Sequence, residues 1–457
     1  MTDINIQQEL LDLVGSSDIH KIVAGLQNAN PVDVAESFEE FFEKNEPESH
    51  QKLLIIFRLL PKDYAAELFA ELNPDIQESI ITKITDYEIR GIVDEMFLDD
   101  AVDFIEEMPA SVIARVLANI PRQRREEINS FLKYPENSAG SLMTNEYIDL
   151  KVGMTVSQTF EKIRKDGQDK ETIYTCYVTD SSRRLLGTVT VKTLLLSRMD
   201  EIINDIMDTS FISAFTTDTA EDVAADFRKY GLLALPIVDS EKRIVGIVTV
   251  DDIMEVAEEV ATEDFEKMAA ITPSEEPYLK TSVFNLTKHR LLWLLILMIS
   301  ATVTGAIISH FEDALAALPI LFASVPMLMD TGGNAGAQSS TLIIRGMAVG
   351  EIELADILRV LWKEFRVALV CGASLAAVNI VRMLIVNQKQ NILVSLTVSL
   401  ALVATVVLAK TVGCLLPMAA KKLKLDPAVM ASPVITTIVD AGSLIVFFFF
   451  ARLLLHV

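Results

Sequence analysis

Apolar residues in the last third of the chain run in five long blocks, at about 291–309, 315–344, 367–386, 392–419 and 428–455. A helix needs about 20 apolar residues to cross the hydrocarbon core of a bilayer. Each block therefore predicts a spanning helix, and the second, fourth and fifth are long enough to tilt or break. Upstream the pattern changes. From about 30 to 135, short stretches with apolar residues at helical spacing are punctuated by proline, as in Leu60-Pro61-Lys62-Asp63-Tyr64 and Met108-Pro109-Ala110-Ser111-Val112, with Pro74 and Pro121 opening further units. Proline at a helix start lacks a donor that would be unused there anyway. Repeated short helices of this kind predict a small α-solenoid, with a plain helical bundle as the alternative.

Between them, 138–258 reads as an internal duplication. Ser141-Leu142-Met143-Thr144 opens one copy and Asp205-Ile206-Met207-Asp208 the other. Each continues through an amphipathic helix (155–165; 219–230) into a β-rich pair. The second pair is Ala234-Leu235-Pro236-Ile237-Val238-Asp239 followed by Ile244-Val245-Gly246-Ile247-Val248-Thr249-Val250, and a helix opening at Asp251-Asp252 closes the copy. This resembles a tandem pair of CBS (cystathionine β-synthase) domains, which implies an α/β pair that senses nucleotides or ions rather than catalysing. The first copy departs from the pattern, carrying Lys192 where the second carries Asp251. A charged connector, broken by Pro273 and Pro277, then leads to Lys288-His289-Arg290 at the first apolar block.

Charge sharpens the division. Residues before Leu279 hold 55 Asp+Glu and 26 Lys+Arg, a net of −29; the remainder holds 9 and 14, a net of +5. An acidic domain repels nucleic-acid phosphates, which excludes DNA and RNA as expected partners. Its carboxylates are hard oxygen ligands suited to divalent cations, although excess acid also serves solubility alone. Cys176, Cys371 and Cys414 are scattered and form neither a disulfide framework nor a zinc motif. The beginning of the chain lacks the basic and apolar regions of a secretory signal. Lys280, Lys288 and Arg290 precede the first block; Arg345, Arg359, Lys363 and Arg366 lie between the second and third, and Lys421, Lys422 and Lys424 between the fourth and fifth. The alternate connections carry Glu312-Asp313 and Lys389. The positive-inside rule then predicts a multi-pass protein of the cell (inner) membrane, with the N-terminus cytoplasmic and Val457 outside.

Two blocks carry chemistry. The second contains Pro326-Met327-Leu328-Met329-Asp330-Thr331-Gly332-Gly333-Asn334-Ala335-Gly336-Ala337-Gln338, and the fifth Ser432-Pro433-Val434-Ile435-Thr436-Thr437-Ile438-Val439-Asp440. Polar or broken helix at membrane depth is tolerated where it is buried in protein or lines a cavity; glycine also permits close helix packing with no further role. A carboxylate there marks an ion path, a proton relay or a buried polar contact. Asp440 and Thr436, four apart, share a helical face. A carboxylate, hydroxyls and backbone carbonyls suit hydrated Mg²⁺. Asp440 stands as the single clear intramembrane acid, Asp330 being placed nearer an interface. That favours a channel over a carrier, which couples through more ionisable groups. No nucleophile–base constellation or phosphate-binding glycine loop is present, so an enzyme is not expected.

The order of these segments and the motifs Gly332-Gly333-Asn334-Ala335-Gly336 and Ser432 to Asp440 resemble the MgtE family of magnesium transporters over nearly the whole chain. The resemblance implies a multidomain membrane protein: a helical N domain (1–135), CBS 1 (138–200), CBS 2 (201–258), a connecting gating helix (259–288) and an all-α pore domain of five helices (289–457). It implies a homodimeric Mg²⁺-selective channel with Asp440 holding hydrated Mg²⁺, and with Gly333, Asn334, Gly336 and Thr436 lining the pore. It also implies regulatory Mg²⁺ at Glu221, Asp252, Glu263 and Asp264, closing the pore when internal Mg²⁺ is plentiful, and allows an adenine nucleotide at the CBS pair, against which the degenerate first copy counts. The alternatives are a divalent-cation carrier exchanging Na⁺ or H⁺ and a CBS-based sensor with a membrane anchor.

Overall fold

The computed structural model describes residues 19–43, 47–274, 278–279, 281–311, 319–386, 392–430 and 432–456. Pro277, Lys280, Glu312, Asp313, Lys389, Ala431 and Val457, and the first residues of the chain, lie outside them. The chain divides into two compact units, Met1–Ala257 and Glu258–Val457.

The first unit begins with short helices: α1 (Ile19–Leu26), α2 (Pro31–Glu43), α3 (Pro47–Leu59), α4 (Lys62–Ala70), α5 (Pro74–Lys83), α6 (Asp86–Glu95), α7 (Leu98–Glu107), α8 (Ala110–Asn119) and α9 (Arg122–Phe131). Pro61, Pro109 and Pro121 occupy the positions just before α4, α8 and α9, while Pro74 is the first residue of α5, behind an Asn73 side-chain cap on Ile76 N–H. Helices pack on the next but one, α2 on α4, α4 on α6, α6 on α8 and α7 on α9, the stacking expected of a solenoid. Their apolar faces share one core, with Phe38, Phe69 and Phe104 buried, and this core runs on into Val223, Phe227 and Leu235 of the second CBS copy.

The two copies have one topology. In the first, β1 (Asp149–Lys151) lies parallel to β2 (Thr175–Thr179), and β3 (Leu185–Thr190) antiparallel to β2, with α10 (Val156–Asp166) between β1 and β2 and α11 (Val191–Leu196) and α12 (Ile203–Ile206) following. In the second, β4 (Ala214–Phe215), α13 (Ala220–Tyr230), β5 (Ala234–Val238) and β6 (Ile244–Thr249) repeat the order β4-β5-β6. Thr155 and Thr219 cap α10 and α13, as their sequence positions predict. The opening segments are exchanged. Thr144 bridges Ile247 of the second sheet and Asp208 bridges Thr188 of the first. Gly246 and Gly187 make this possible, because a Cβ on either would fall within 3 Å of the crossing backbone and of Met143 or Met207.

Helix α14 (Val250–Met268) starts in the second copy and continues past the unit boundary, so the helix predicted to close CBS 2 and the first part of the connector are one element. The second unit then holds α15 (Val283–His310), α16 (Pro319–Ala348), α17 (Ile357–Val386), α18 (Ile392–Lys422) and α19 (Ser432–Leu455). Among the described residues, four apolar helical stretches, Val283–His310, Leu354–Ile385, Ile392–Lys422 and Ala428–Leu455, are long and apolar enough to cross a membrane. Helix α16 is as long, 30 residues, but its polar and small residues keep it below that apolarity. Helix α18 is the hub, packed against α16, α17 and α19; α15 packs on α19.

Candidate ion pathway and its carboxylate surroundings

The glycines of α16 bring three helices to backbone contact. A Cβ on Gly332 would lie within 3 Å of Thr405, Ser443 and Val439; on Gly333 it would meet the Thr436 methyl at 3.1 Å; on Gly336 it would meet Ile435 at 2.7 Å and the Ala409 carbonyl at 3.3 Å. Gly333 and Gly336 are thus buried in contacts within the chain. Asn334 between them is exposed. So are Asp330 and Gln338, one turn to either side, and the three form a polar stripe at spacing four on a face that the chain itself leaves uncovered.

Asp440 of α19 is half-buried beside this stripe, and Asp330 lies near enough to act on it electrostatically. Asp330, placed nearer an interface by the sequence, therefore joins the Asp440 locale. The hydroxyls of Thr436 and Thr437 both donate to the Pro433 carbonyl on their own helix, at 2.9 and 3.0 Å. They offer lone pairs to a cation or its water, but their protons are used locally. The side chain of Ser432 lies outside the described residues.

Sequence reasoning missed three further charged groups within the long helices. Lys410 of α18 is buried, with its ammonium 3.7 Å from Glu364 of α17. Arg382 donates to the buried Asn379 at 2.9 Å. Asp440 is thus not the single acid of the membrane region. The signal for Lys410 was present: a lysine in the middle of the apolar run 392–419 has no ready route to water and needs a partner.

In the first unit a second carboxylate locale forms where the N domain meets the CBS pair. Asp252 receives a 2.8 Å hydrogen bond from the Thr249 hydroxyl, and burial nevertheless pushes its carboxyl up to about 6. On α7, burial and then Asp100 and Asp252 hold Asp99 well above the usual carboxylate value. Burial, then Asp252 and Glu71, pushes Asp100 up to about 7. Glu171 is pushed to about 8 by burial, Asp251 and Asp100. Asp103 stays open to solvent at the edge, raised by partial burial and then by Asp252. Of the acids singled out from the sequence, only Asp252 enters this locale. Glu221 is exposed in the first turn of α13. Glu263 pairs with Lys267 at 2.6 Å, and Asp264 is half-buried on α14. Asp99 and Asp100 were missed, although Asp99-Asp100 and Asp251-Asp252 are both visible as doublets. Among the described residues, no three such groups converge as a ready ligand set.

These raised values fix a pH dependence. A carboxyl whose folded value lies above its unfolded value stabilises the fold fully below the unfolded value, and that contribution is lost as pH rises through the folded one. The window here runs from about pH 4 to the value of about 8 at Glu171. Residues 1–268, expressed alone, should therefore melt several degrees higher at pH 5.5 than at pH 8. Thermal unfolding by circular dichroism checks this; a higher melting temperature at pH 8 would contradict it.

The family model described as a divalent cation transporter matches residues 325–450, the MgtE intracellular N domain 29–137 and the CBS domain 203–259. The chain is 34% identical over 406 residues to the magnesium transporter MgtE of Thermus thermophilus, covering 88% of this chain and 89% of that one. It is 30% identical over 443 residues to the magnesium transporter MgtE of Bacillus subtilis, covering 96% and 94%. Among solved structures, the soluble part of a magnesium transporter matches with a TM-score of 0.51 at 25% identity, over 57% of this chain and 99% of that chain. The cytosolic domain of the Mg²⁺ channel MgtE in complex with ATP matches with a TM-score of 0.50 at 30% identity, over 56% and 99%.

Proposed function

The chain belongs to the MgtE family of magnesium transporters, and from that premise we propose that it is a homodimeric channel admitting Mg²⁺ to the cytoplasm. The polar stripe of Asp330, Asn334 and Gln338 beside Asp440 carries the reading. Charged and amide side chains facing lipid would be strongly unfavourable, and a second copy of the same face would enclose them. A two-fold arrangement would double each carboxylate around one axis. Mg²⁺ gives up its water reluctantly and is held through one or two carboxylates with several waters retained, which suits an exposed amide stripe and two facing Asp440 side chains. Gly333 and Gly336 act by letting α16 approach α18 and α19, and Thr436 by presenting hydroxyl lone pairs.

Regulation rests on the crowded acids. With no cation present, Asp99, Asp100, Asp252 and Glu171 repel one another, which opposes docking of the N domain on the CBS pair. Divalent cations relieve that repulsion and shift the population toward the docked, closed arrangement. Helix α14 carries Glu263, Asp264 and Lys267, and Lys267 also reaches Asp426 at 2.7 Å, whose other oxygen accepts from the Ala428 N–H just before α19. That ion pair ties α14 to the start of the helix bearing Asp440. Glu221, exposed on α13, is the outlying member of the sensing set. Nucleotide binding by the pair would rest on the second copy, since Lys192 replaces a carboxylate at the start of α11.

The carrier reading is favoured by one observation, the extra charges Glu364 and Lys410, but these neutralise each other within the helix packing. A thiol-accessibility experiment tests the path. In a chain lacking Cys176, Cys371 and Cys414, cysteines at Asn334 and Gln338 should react with a charged thiol reagent and be protected by Mg²⁺. A cysteine at Leu295, on lipid-facing α15, should not react. Inert cysteines at 334 and 338 would remove the path from this stripe.

A further inference from the structure

The polar stripe lies on one side of α16; the other side carries Ser339, fully buried, one turn beyond Ala335. Its hydroxyl donates to Glu364 Oε2 of α17 at 2.6 Å and accepts from Lys410 Nζ of α18 at 3.1 Å. The direct Lys410–Glu364 separation is longer, 3.7 Å, so the serine links the two charges. Several other hydroxyls in these helices behave differently. Ser324, Ser374, Thr397 and Thr411 all donate to the carbonyl four residues back on their own helix. Ser339 instead spends its hydroxyl between helices. The linkage falls at a close contact of α16 with α18, for Lys410 follows Ala409, whose carbonyl abuts Gly336, and a Cβ on Gly413 would collide with the Gly336 carbonyl.

A buried ammonium and carboxylate persist only when paired and hydrogen-bonded, and removing one partner strands the other. The pair holds three helices at one level and presents no net charge to the neighbouring path. We propose that Lys410, Ser339 and Glu364 form a positioning clamp for ion selection, fixing the stripe-bearing turn of α16 from behind and cancelling a fixed charge that would otherwise repel or trap a divalent ion. The clamp rests on the reading of the stripe as the Mg²⁺ path. None of its members touches the ion. The two charges differ in what their loss leaves. Glu364→Gln strands a positive charge, which opposes a divalent ion more strongly than a monovalent one; Lys410→Met strands a negative charge, which does the reverse.

The test uses the full-length protein in inside-out patches. It reads Mg²⁺ current per assembled channel, with assembly counted by native chromatography, and the Mg²⁺:Na⁺ permeability ratio. Ser339→Ala, which removes only a hydroxyl and keeps both charges, should lower the Mg²⁺ current per channel by about tenfold. Glu364→Gln should lower the permeability ratio, whereas Lys410→Met should raise it while slowing the Mg²⁺ current through tighter binding. The double variant Lys410→Met/Glu364→Gln should lie nearer wild type than either single change. Unchanged current per channel in Ser339→Ala, together with an unchanged permeability ratio in Glu364→Gln and Lys410→Met, would overturn the clamp, even if the amount of assembled protein fell. Absence of Mg²⁺ current in the wild-type chain would overturn the path reading instead, so the two failures are distinguishable.

Discussion

Replacing Asp440 by alanine is expected to lower Mg²⁺ uptake by at least about a hundredfold while leaving the protein assembled. The magnitude follows from the bonds lost. Hydrogen bonds to a charged group contribute about 1.5–3 kcal/mol each, and in the proposed two-fold assembly the substitution removes a pair of carboxylates at once, giving about 3–6 kcal/mol. Folding should survive, because Asp440 is half-buried at an uncovered face rather than locked in a core network. Asp440→Asn, which keeps shape and hydrogen bonding but not charge, should fail almost as completely. Asp440→Glu should retain a fraction of the flux. Uptake in Mg²⁺-depleted cells reads all three; wild-type uptake by Asp440→Ala would move the ion site elsewhere.

Neutralising the sensing acids should act in the opposite direction. With Glu221, Asp252, Glu263 and Asp264 changed to their amides, or with Asp99, Asp100 and Asp252 changed together, the carboxylates through which a bound cation would hold the docked, closed arrangement are gone. The Mg²⁺ concentration giving half-inhibition should then rise, or inhibition vanish, because no differential affinity remains to shift the population. A tenfold rise corresponds to about 1.4 kcal/mol of lost coupling. Comparing the two sets is informative, since Asp252 is the acid common to both and the member of the first set whose crowding is visible in the fold. Inhibition by internal Mg²⁺ at the wild-type concentration in both sets would place the sensor outside these groups.

Much of the architecture was legible because it rests on local signals. Prolines 61, 74, 109 and 121 mark helix starts, Thr155 and Thr219 cap helices, and the duplicated strand pairs announce one topology twice. Segment exchange between the CBS copies was not legible, because Thr144 and Asp208 find partners about 100 and 20 residues away through glycines whose purpose shows only in three dimensions. The same limit governs the sites. Asp440 and Asn334 stand out as polar residues in apolar runs. Asp99 and Asp100 do not, because an acid in an acidic domain becomes informative only when burial and Asp252 are seen to crowd it. Lys410 was visible in principle, yet its meaning depends on Glu364, 46 positions away in sequence, and on a serine that sequence alone cannot orient.

Patch recording from the wild-type chain, with Mg²⁺ as the only permeant cation and its concentration varied on the cytoplasmic face, tests the central claim most directly. Channel-like Mg²⁺ current that needs no Na⁺ or H⁺ gradient and is progressively suppressed as cytoplasmic Mg²⁺ rises is the predicted result. Flux that requires such a gradient, or current indifferent to cytoplasmic Mg²⁺, would contradict it.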